Sequence, residues 1–295
     1  MDVKREIGRI DLHMHTVFSD GTDDLRSLVP KVQEAGIDVF SVTDHDSIRA
    51  GREMPRVLEE MEGAPRFIRG VEFSCQDEQG KYHILGYGYD PDVPGIADVV
   101  AQGHALRMEK AWRRLEYLQK EFGFAFSQEE IRDILQKENP GKPHIAALMI
   151  RHGYAESIQE AIGDYINKKK FKGMHVRPED VIRGILDSGG IPVLAHPSYG
   201  DGDDLILGDD LEERIRYLMG FGLQGLEAFY SGFTLRLQEE VLRYAEKYGL
   251  YVTAGSDYHG AAKMVELGDT NLEDLTQAPV GLWRFLEDVL RDPEG

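Results

Sequence analysis

The chain has 295 residues, of which 41% are hydrophobic, and a formal net charge of -19 at pH 7. This charge argues against indiscriminate binding to nucleic acid or anionic membranes, which depends on positive charge, although metal ions could still admit a polyanionic substrate. The single cysteine, Cys75, excludes an internal disulfide, and no apolar stretch suits a signal peptide or a membrane span, so we expect a cytoplasmic protein.

Seven short apolar runs bounded by turn residues predict β-strands. In chain order they read GRIDLHMH, DVFSVTDH, RFIRGVEFSC, YHILGYGY, IPVLAHP, LQGLEAFY and YVTAGSDYH. Helical patterns lie between many of them, including DDLRSLVPKVQEAG early in the chain and RPEDVIRGILDSGG, DDLEERIRYLMGFG and FTLRLQEEVLRYAEKYG later. This alternation predicts an α/β fold with βαβ units and a parallel sheet, and seven strands suit a barrel better than a short open sheet.

The alternation breaks after the fourth strand, where the sequence shows helical patterns and no convincing strand. One pattern, SQEEIRDILQKE, begins with Ser127 and has Glu130 three positions later, which is the signature of a capping box. We interpret residues 93–174 as a helical insertion, a lid or substrate subdomain, within a barrel formed by residues 1–92 and 175–295. An enlarged crossover that only adds core explains the pattern equally well.

Histidines and carboxylates lie at or near the carboxyl ends of six of the seven predicted strands. They are His13, His15 and the following Asp20; Asp44, His45 and Asp46 of VTDHD; Glu72; His83; His196; and Asp257 with His259. Side chains two residues apart leave a strand on the same face, so the members of each spaced pair point the same way. Functional sites of parallel α/β folds collect at this edge of the sheet. The combined pattern predicts a metal site, since transition metals accept imidazole and carboxylate ligands.

Each of these residues has a structural explanation when it is considered alone. His83 lies nearer the start of its apolar run, where a buried histidine with satisfied hydrogen bonds is a real alternative. Asp44 and Asp46 could cap the helix that follows their strand, and we favour that explanation for Asp46. Glu72 is harder to explain in this way, because it follows an apolar run in which a solvated charge is unexpected.

Six histidines together with Asp20, Glu72 and Asp257 give nine side chains, too many for one tetrahedral ion. Mixed imidazole and carboxylate ligands suit zinc, manganese or iron, and ions can share a carboxylate, so we predict two or three divalent ions. Such clusters generate a metal-bound hydroxide at neutral pH and bind both the attacking and the leaving oxygen of an in-line displacement. Hydrolysis of phosphate esters is the reaction that most needs both effects.

The order of the motifs HMHTVFSDG, TDHD, GVEFS, YHILGY, AHP and GSDYH resembles the PHP (polymerase and histidinol phosphatase) superfamily of metal-dependent phosphoesterases. Within it, the chain is most similar to the subgroup of 3',5'-nucleoside bisphosphate phosphatases and 5'-to-3' exoribonucleases. The resemblance implies a distorted seven-stranded (β/α) barrel, a trinuclear metal site and a helical insertion at the place where this chain loses its strand pattern.

The resemblance also implies a role for each residue of the motifs. The first metal would be bound by His13, His15, Glu72 and Asp257, the second by Asp20, His45 and His259, and the third by Glu72, His83 and His196. Glu72 would bridge two ions, and Asp257 could bridge as well. A metal-bridging hydroxide held through Glu72, Asp257 and His196 would attack phosphorus. Asp44 would orient His45 or the strand end without binding metal.

The expected substrate contacts depart from the pattern of the subgroup. Its Arg-Pro-His element reads Lys-Pro-His here, at residues 142–144, and lysine keeps the charge but loses the planar fork of arginine. Ser198 and Tyr199 stand where the subgroup often has a basic residue. The basic run NKKKFKG, residues 167–173, could bind a second phosphate or an RNA strand, although we favour a solvated helix end. The candidate substrate-binding residues are Lys142, His144, Arg107, Lys170 and Lys172.

We expect a hydrolase that acts on a small phosphorylated substrate, either the 3'-phosphate of a 3',5'-bisphosphonucleotide or the 5' end of a short RNA. We expect no membrane association and no stable complex with nucleic acid, and no residue of the sequence can be named as a general acid. Two alternatives remain open: a phosphatase for another small molecule such as histidinol phosphate, and a regulatory or structural metal-binding domain without turnover. The complete set of nine ligand residues favours an enzyme.

Overall fold

The computed structural model describes residues 7–137, 140–171, 173–200 and 204–291. Within them, seven strands form one sheet in which each strand pairs with its neighbours in the chain, and each overlaps one of the predicted runs. The strands are β1 (Ile10–Asp11), β2 (Val39–Val42), β3 (Arg66–Gln76), β4 (Lys81–Tyr87), β5 (Ile191–Leu194), β6 (Gly225–Tyr230) and β7 (Tyr251–Gly255).

The first and last strands of the sheet lie side by side and bring its two ends together. Leu12 N donates a hydrogen bond to Ala254 O at 2.9 Å. Met14, just beyond β1, forms a parallel bridge with Tyr258, just beyond β7. The predicted distorted seven-stranded (β/α) barrel is therefore confirmed, and its near closure removes the exposed edges that an open sheet would have.

The prediction of a parallel sheet is wrong at β4, which runs antiparallel to both β3 and β5. Residues 77–80 join β3 to β4, whereas a parallel pair would need a crossover of about a dozen residues or more. Asp77 Oδ1 stabilises this turn by accepting hydrogen bonds from the amides of Gln79 at 2.9 Å and Gly80 at 3.1 Å. The start of β4 therefore lies at the same edge of the sheet as the carboxyl end of β3.

The helices alternate with the strands except where several follow one another between β4 and β5. Among the described residues they are α1 (Leu25–Glu34), α2 (Arg49–Glu59), α3 (Pro94–Phe122), α4 (Gln128–Leu135), α5 (Lys142–Arg151), α6 (Ile158–Glu160), α7 (Pro178–Asp187), α8 (Gly208–Met219), α9 (Leu235–Tyr248) and α10 (Val280–Val289). A π-helical turn (Ala161–Tyr165) and a 3-10 turn (Ile166–Lys168) extend α6. In this part of the chain, no helix combines the length and the apolar character needed to cross a membrane.

Helices α2 and α10 were not predicted, and the sequence of α2 shows why. It contains Gly51 and Pro55, two residues that usually interrupt helices. Pro55 lacks the amide that would donate to the carbonyl of Gly51, and Arg69 Nε donates to that carbonyl at 3.2 Å instead. A β-carbon at position 51 would approach the hydroxyl of Tyr89 to 2.7 Å, so packing favours glycine there. The surrounding structure thus compensates for both residues.

The chain divides into two compact units, one formed by residues 1–100 with 177–295 and the other by residues 101–176. The second unit covers most of the predicted insertion, although α3 begins before its boundary. Its hydrophobic core includes the fully buried Leu118 and Met149. Its role as a lid or substrate subdomain stays a prediction.

The second unit contains the capping box that was predicted at the start of α4. Ser127 Oγ accepts a hydrogen bond from the amide of Glu130 at 3.2 Å. A carboxylate oxygen of Glu130 accepts from the amide of Ser127 at 2.9 Å, so two amides that the helix itself leaves unpaired find partners. This prediction is confirmed.

Candidate metal centre

The side chains predicted as metal ligands converge at one edge of the barrel. Six imidazoles lie there, those of His13, His15, His45, His83, His196 and His259. All but His259 follow one another in a ring, with neighbouring centroids 4.7–6.1 Å apart, and His259 stacks on His15 at 4.1 Å. The reversed direction of β4 explains why His83 comes early in its strand and still reaches this edge.

Glu72, on β3, faces this ring of imidazoles and is only 1% exposed. Five ring nitrogens lie 2.8–3.4 Å from its oxygens, those of His13, His15 and His45 at Oε2 and those of His83 and His196 at Oε1. One buried carboxylate therefore divides its two oxygens between two sets of imidazoles. This geometry suits a ligand that is shared between metal ions.

The nine predicted ligands fall into three groups whose ligand atoms lie within 4.8 Å of one another. They are His13, His15 and Asp257; His15, Asp20, His45 and His259; and Glu72, His83 and His196. The third group has the membership that the family resemblance implies. His15 belongs to the first two groups because opposite edges of its ring face different carboxylates. Its Nε2 is 3.3 Å from Asp257 Oδ1, and its Nδ1 is 3.6 Å from Asp20 Oδ1.

The ring nitrogens and carboxylate oxygens of this cluster face one another at short distances, so a proton or a cation has to lie between them. His13 Nε2 and His15 Nε2 face each other at 3.2 Å, and both also face Oε2 of Glu72. Burial disfavours charge on His13, but nearby carboxylates, that of Glu227 foremost, outweigh it and hold the pKa of His13 well above its usual value. Burial also opposes charge on His15, yet its hydrogen bonds to Asp257 and Glu72 raise its pKa to about 9. Divalent ions can supply this charge in place of protons, so the residues fit a metal centre.

The carboxylates of the cluster are in the ionised form that metal binding requires. Burial opposes ionisation of Glu72, Asp257 and Asp20, but the surrounding imidazoles outweigh it and hold each pKa below its usual value. Burial lowers the pKa of His45 to about 3, so that imidazole is neutral at physiological pH. Ionised carboxylates and a neutral imidazole both offer lone pairs to a cation.

Asp44 fixes the loop that follows β1. It accepts hydrogen bonds from the amide of Thr16 at 2.8 Å and from the hydroxyl of Ser19 at 2.6 Å. Ser19 Oγ lies in turn 3.3 Å from Nδ1 of His15. Asp44 therefore supports the loop that carries Asp20, and its predicted role in orienting His45 or the strand end stays a prediction.

Three residues other than glycine at this edge, Asp46, His196 and Asp257, have left-handed backbones with φ of 53°, 30° and 61°. This conformation is unfavourable for L residues and persists only where the surrounding structure holds it. The carboxylate of Asp46 accepts from the amide of Ser74 on β3 at 3.1 Å, which fixes one of these turns. The helix-capping role favoured for Asp46 is wrong, because α2 begins after Ile48.

No site residue was predicted on β6, yet this strand contributes Glu227 to the cluster. Its carboxylate is fully buried. Oε1 accepts a hydrogen bond from Nδ1 of His13 at 2.8 Å, and Oε2 accepts from the backbone amide of His196 at 2.8 Å. The sequence did contain a signal for Glu227, because a charged residue inside the apolar run GLEAFY is unexpected. The same signal identified Glu72.

Lys263 and Tyr230 also reach the cluster and were not predicted. Lys263 Nζ lies 2.7 Å and the Tyr230 hydroxyl 3.1 Å from Oδ2 of Asp257. Burial and then the charge of Asp257 raise the pKa of Tyr230, so its hydroxyl keeps its proton. No sequence signal distinguishes Lys263 from an ordinary surface lysine, because its position depends on the fold of the loop after β7.

The candidate substrate-binding residues lie in the unit of residues 101–176. They are Arg107 on α3, Lys142 and His144 in the first turn of α5, and the exposed Lys170 beyond the 3-10 turn. Lys172 lies outside the described residues. His144 Nδ1 accepts from the amide of Gly141 at 3.1 Å, so this side chain caps its own helix. Binding of substrate by these residues stays a prediction.

Gly255 is the last residue of β7, and its lack of a side chain makes room for the residues of the cluster. A β-carbon at this position would lie 2.2 Å from Cβ of His13 and 2.6 Å from a carboxylate oxygen of Glu227. We expect Gly255→Ala to lower the free energy of unfolding by about 1–3 kcal/mol, as overpacking does. Urea denaturation measures this, with Gly163→Ala as the control because a β-carbon at position 163 has no neighbour within 4 Å. Equal stability of the two variants would contradict the prediction.

Comparisons with known proteins agree with this geometry. The family model of the PHP domain matches residues 11–166. A phosphoribosyl 1,2-cyclic phosphate 1,2-diphosphodiesterase from Eggerthella lenta is 30% identical over 259 residues, which cover 85% of this chain and 94% of that protein. A 5'-3' exoribonuclease from Haemophilus influenzae is 27% identical over 278 residues, covering 93% of this chain and 98% of that protein.

Two further similarities span nearly the whole chain. A 3',5'-nucleoside bisphosphate phosphatase from Chromobacterium violaceum is 27% identical over 287 residues, which cover 95% of this chain and 97% of that protein. The crystal structure of a metal-dependent phosphoesterase from Bifidobacterium adolescentis has a TM-score of 0.76 and 28% identity, covering 97% of this chain and 98% of that one. Both similarities therefore cover most of the barrel and most of the insertion between β4 and β5.

Proposed function

Since the chain belongs to the PHP domain family, we propose that its nine clustered side chains bind two or three divalent metal ions. The protein is a metal-dependent phosphoesterase, a hydrolase of phosphoric esters. The observation that carries the proposal is the position of Glu72, whose buried carboxylate faces five imidazoles. Manganese, zinc and iron all accept this combination of ligands. When bound, such ions lower the pKa of coordinated water and offset negative charge on phosphoryl oxygens.

We propose that the substrate is a nucleotide phosphate ester, either the 3'-phosphate of a 3',5'-bisphosphonucleotide or the 5' end of a short RNA. The bisphosphate phosphatase and the exoribonuclease that resemble this chain over more than nine tenths of its length support this proposal. A second candidate is a cyclic phosphate diester of phosphoribose, which the 30% identity with the diphosphodiesterase favours. Each of these candidate substrates carries its phosphate ester on a pentose.

A hydrolysis screen tests the proposed substrates. Protein loaded in turn with Mn²⁺, Zn²⁺ or Fe²⁺ is incubated with adenosine 3',5'-bisphosphate, phosphoribosyl 1,2-cyclic phosphate, a short 5'-phosphorylated RNA and histidinol phosphate. Chromatography then separates the products. We expect turnover of the bisphosphate or the RNA to exceed that of histidinol phosphate. Turnover of the cyclic phosphate alone would favour the second candidate, and metal binding without turnover of any ester would favour a regulatory domain.

We propose that basic side chains of residues 101–176 bind the phosphate group that is not hydrolysed. Arg107 and Arg114 lie about two turns apart on α3. Burial and then the charge of Arg107 lower the pKa of Arg114 to about 10. Nε of Arg114 is buried and has no hydrogen-bond partner among the residues that the structure describes. Two arginines seven positions apart share one face of a helix, and arginine suits phosphate through its paired N–H donors.

Arg107→Met should raise KM for adenosine 3',5'-bisphosphate by roughly 10- to 150-fold, which corresponds to one charge-assisted hydrogen bond of about 1.5–3 kcal/mol. Adenosine 3'-phosphate lacks the second phosphate, so its KM should change far less. Arg113→Met is the matched control, because Arg113 lies on the same helix and pairs with Glu109. Steady-state kinetics on both substrates measures the difference, and an equal effect on the two would contradict the proposed contact.

We also propose that the protein is cytoplasmic and that it meets RNA only transiently. The single cysteine is consistent with a reducing compartment, and the net charge of -19 disfavours lasting contact with a polyanion. Cell fractionation tests the first proposal, which recovery with the membrane would contradict. A mobility-shift assay at physiological salt tests the second, which a persistent protein–RNA complex would contradict.

A further inference from the structure

The carboxylate of Glu227 contacts residues of two different metal groups. Its Oε1 is 2.8 Å from Nδ1 of His13, which is grouped with His15 and Asp257. Its Oε2 is 2.8 Å from the backbone amide of His196, which is grouped with Glu72 and His83. Glu227 is fully buried on β6, so water does not compete for either oxygen. We propose that Glu227 is a positioning residue that fixes both groups at once, a role that rests on the proposed metal centre.

The first contact determines which nitrogen of His13 can bind a cation. A carboxylate oxygen accepts hydrogen bonds, so Nδ1 of His13 is the donor in this 2.8 Å contact. When a cation binds His13 in place of a proton, Nε2 carries the lone pair, and this nitrogen faces Oε2 of Glu72 at 3.3 Å and Nε2 of His15 at 3.2 Å. Carboxylates that orient ligand imidazoles in this way are a general feature of metal sites. Glu227 thereby presents His13 to the cluster in the tautomer that can bind metal.

The second contact holds a strained turn. His196 has φ of 30°, in the left-handed region that residues with a β-carbon rarely adopt. Its amide donates to Glu227, and its ring nitrogen Nε2 lies 3.4 Å from Oε1 of Glu72. Loss of the acceptor would allow this turn to relax toward a more favourable conformation. The ring of His196 would then leave the position from which it faces Glu72.

Glutamine cannot replace Glu227 in this arrangement, although it has nearly the same shape. An amide side chain offers one acceptor oxygen and one NH₂ donor, whereas both partners of Glu227 are donors. If the oxygen accepts from His196, the NH₂ group faces Nδ1 of His13 and favours the tautomer with its proton on Nε2. If the oxygen accepts from His13, the NH₂ group faces the amide of His196 and disfavours the turn. Either orientation disturbs one metal group.

Metal binding to Glu227→Gln tests the proposal. Chelator-treated protein is titrated with Zn²⁺ in a calorimeter, bound zinc is counted after gel filtration, and Co²⁺ absorption reports the ligand geometry. We expect the affinity of the groups with His13 or His196 to fall about 10- to 100-fold. The group of His15, Asp20, His45 and His259 should retain its ion, which a general loss of structure would not allow. Unchanged affinity and stoichiometry in the folded variant would overturn the proposal.

Two further variants complete the experiment. Glu240→Gln is the matched control, because Glu240 accepts from the amide of Gly208 at 2.7 Å and lies on α9, and it should bind zinc as the original chain does. Glu227→Asp keeps two acceptor oxygens on a shorter side chain, so its affinity should lie between those of the original chain and the glutamine variant. If Glu227→Gln does not fold, original affinity in Glu227→Asp would overturn the proposal. Absence of metal binding by the original chain would instead refute the proposed metal centre.

Discussion

Glu72→Gln should lower kcat/KM by about 10³-fold or more, because it removes a carboxylate charge that faces imidazoles of all three proposed metal groups. The amide retains the size of the carboxylate but would direct an NH₂ donor where an acceptor is needed. Five imidazole nitrogens lie within 3.4 Å of the present oxygens, so no orientation of the amide restores all the contacts. Steady-state kinetics at saturating metal, with the bound metal counted in the same preparation, measures the loss.

Glu78→Gln is the control for loss of a carboxylate charge. Glu78 lies just beyond β3 in the turn to β4, is exposed, and pairs with Arg177 at 3.2 Å. We expect this variant to keep the activity and the metal content of the original chain, since exposed ion pairs contribute little. Full activity in a correctly folded Glu72→Gln would contradict the shared role of that carboxylate.

Removal of metal should abolish hydrolysis and lower the melting temperature. A ligand that binds only the folded chain adds about 2.7 kcal/mol to its stability when its free concentration is 100 times Kd. For a chain of this length, that corresponds to a shift of roughly 5 °C or more. Dialysis against a chelator followed by differential scanning calorimetry and a phosphate-release assay measures both effects. Addition of Mn²⁺, Zn²⁺ or Fe²⁺ should restore hydrolysis and the original melting temperature. The metal that restores both most fully is the preferred ion.

The Glu72→Gln variant also serves as the control for metal removal. Its melting temperature should rise less when metal is added, because fewer ligand atoms remain to bind the ions. Hydrolysis that continues at its full rate after complete removal of metal would refute the proposed role of the cluster. Loss of activity without recovery on addition of any of the three ions would indicate damage to the fold rather than loss of a ligand.

The strands and the clustered residues could be predicted because each corresponds to a local pattern in the sequence. Glu72 and His196 are polar residues at or near the end of an apolar run, and any parallel barrel brings such ends to one edge. The direction of β4 could not be predicted in this way, because an apolar run does not reveal which way a strand is paired. The short separation between the predicted runs of β3 and β4, the residues QDEQGK, was an available sign of a hairpin.

Residues whose function depends on contacts across the barrel were harder to predict. Glu227 was assigned to a strand and given no role, since only the folded sheet shows that it meets both His13 and the backbone of His196. The membership of His15 in two groups depends on how its two ring edges face the surrounding carboxylates. Lys263 reaches Asp257 from an irregular loop, and such positions follow from tertiary structure rather than from periodicity.

The reversal of β4 also determines how the stretch between β4 and β5 is attached. Tyr87, at the end of β4, pairs with Ile191, at the start of β5, and both lie at the edge of the sheet opposite the imidazoles. The intervening chain is therefore an enlarged hairpin loop, and the entropic cost of closing a loop rises only slowly with its length. Evolution could lengthen, shorten or exchange this loop without changing strand order or register. The ligand-bearing barrel would stay the same whatever the length of the loop.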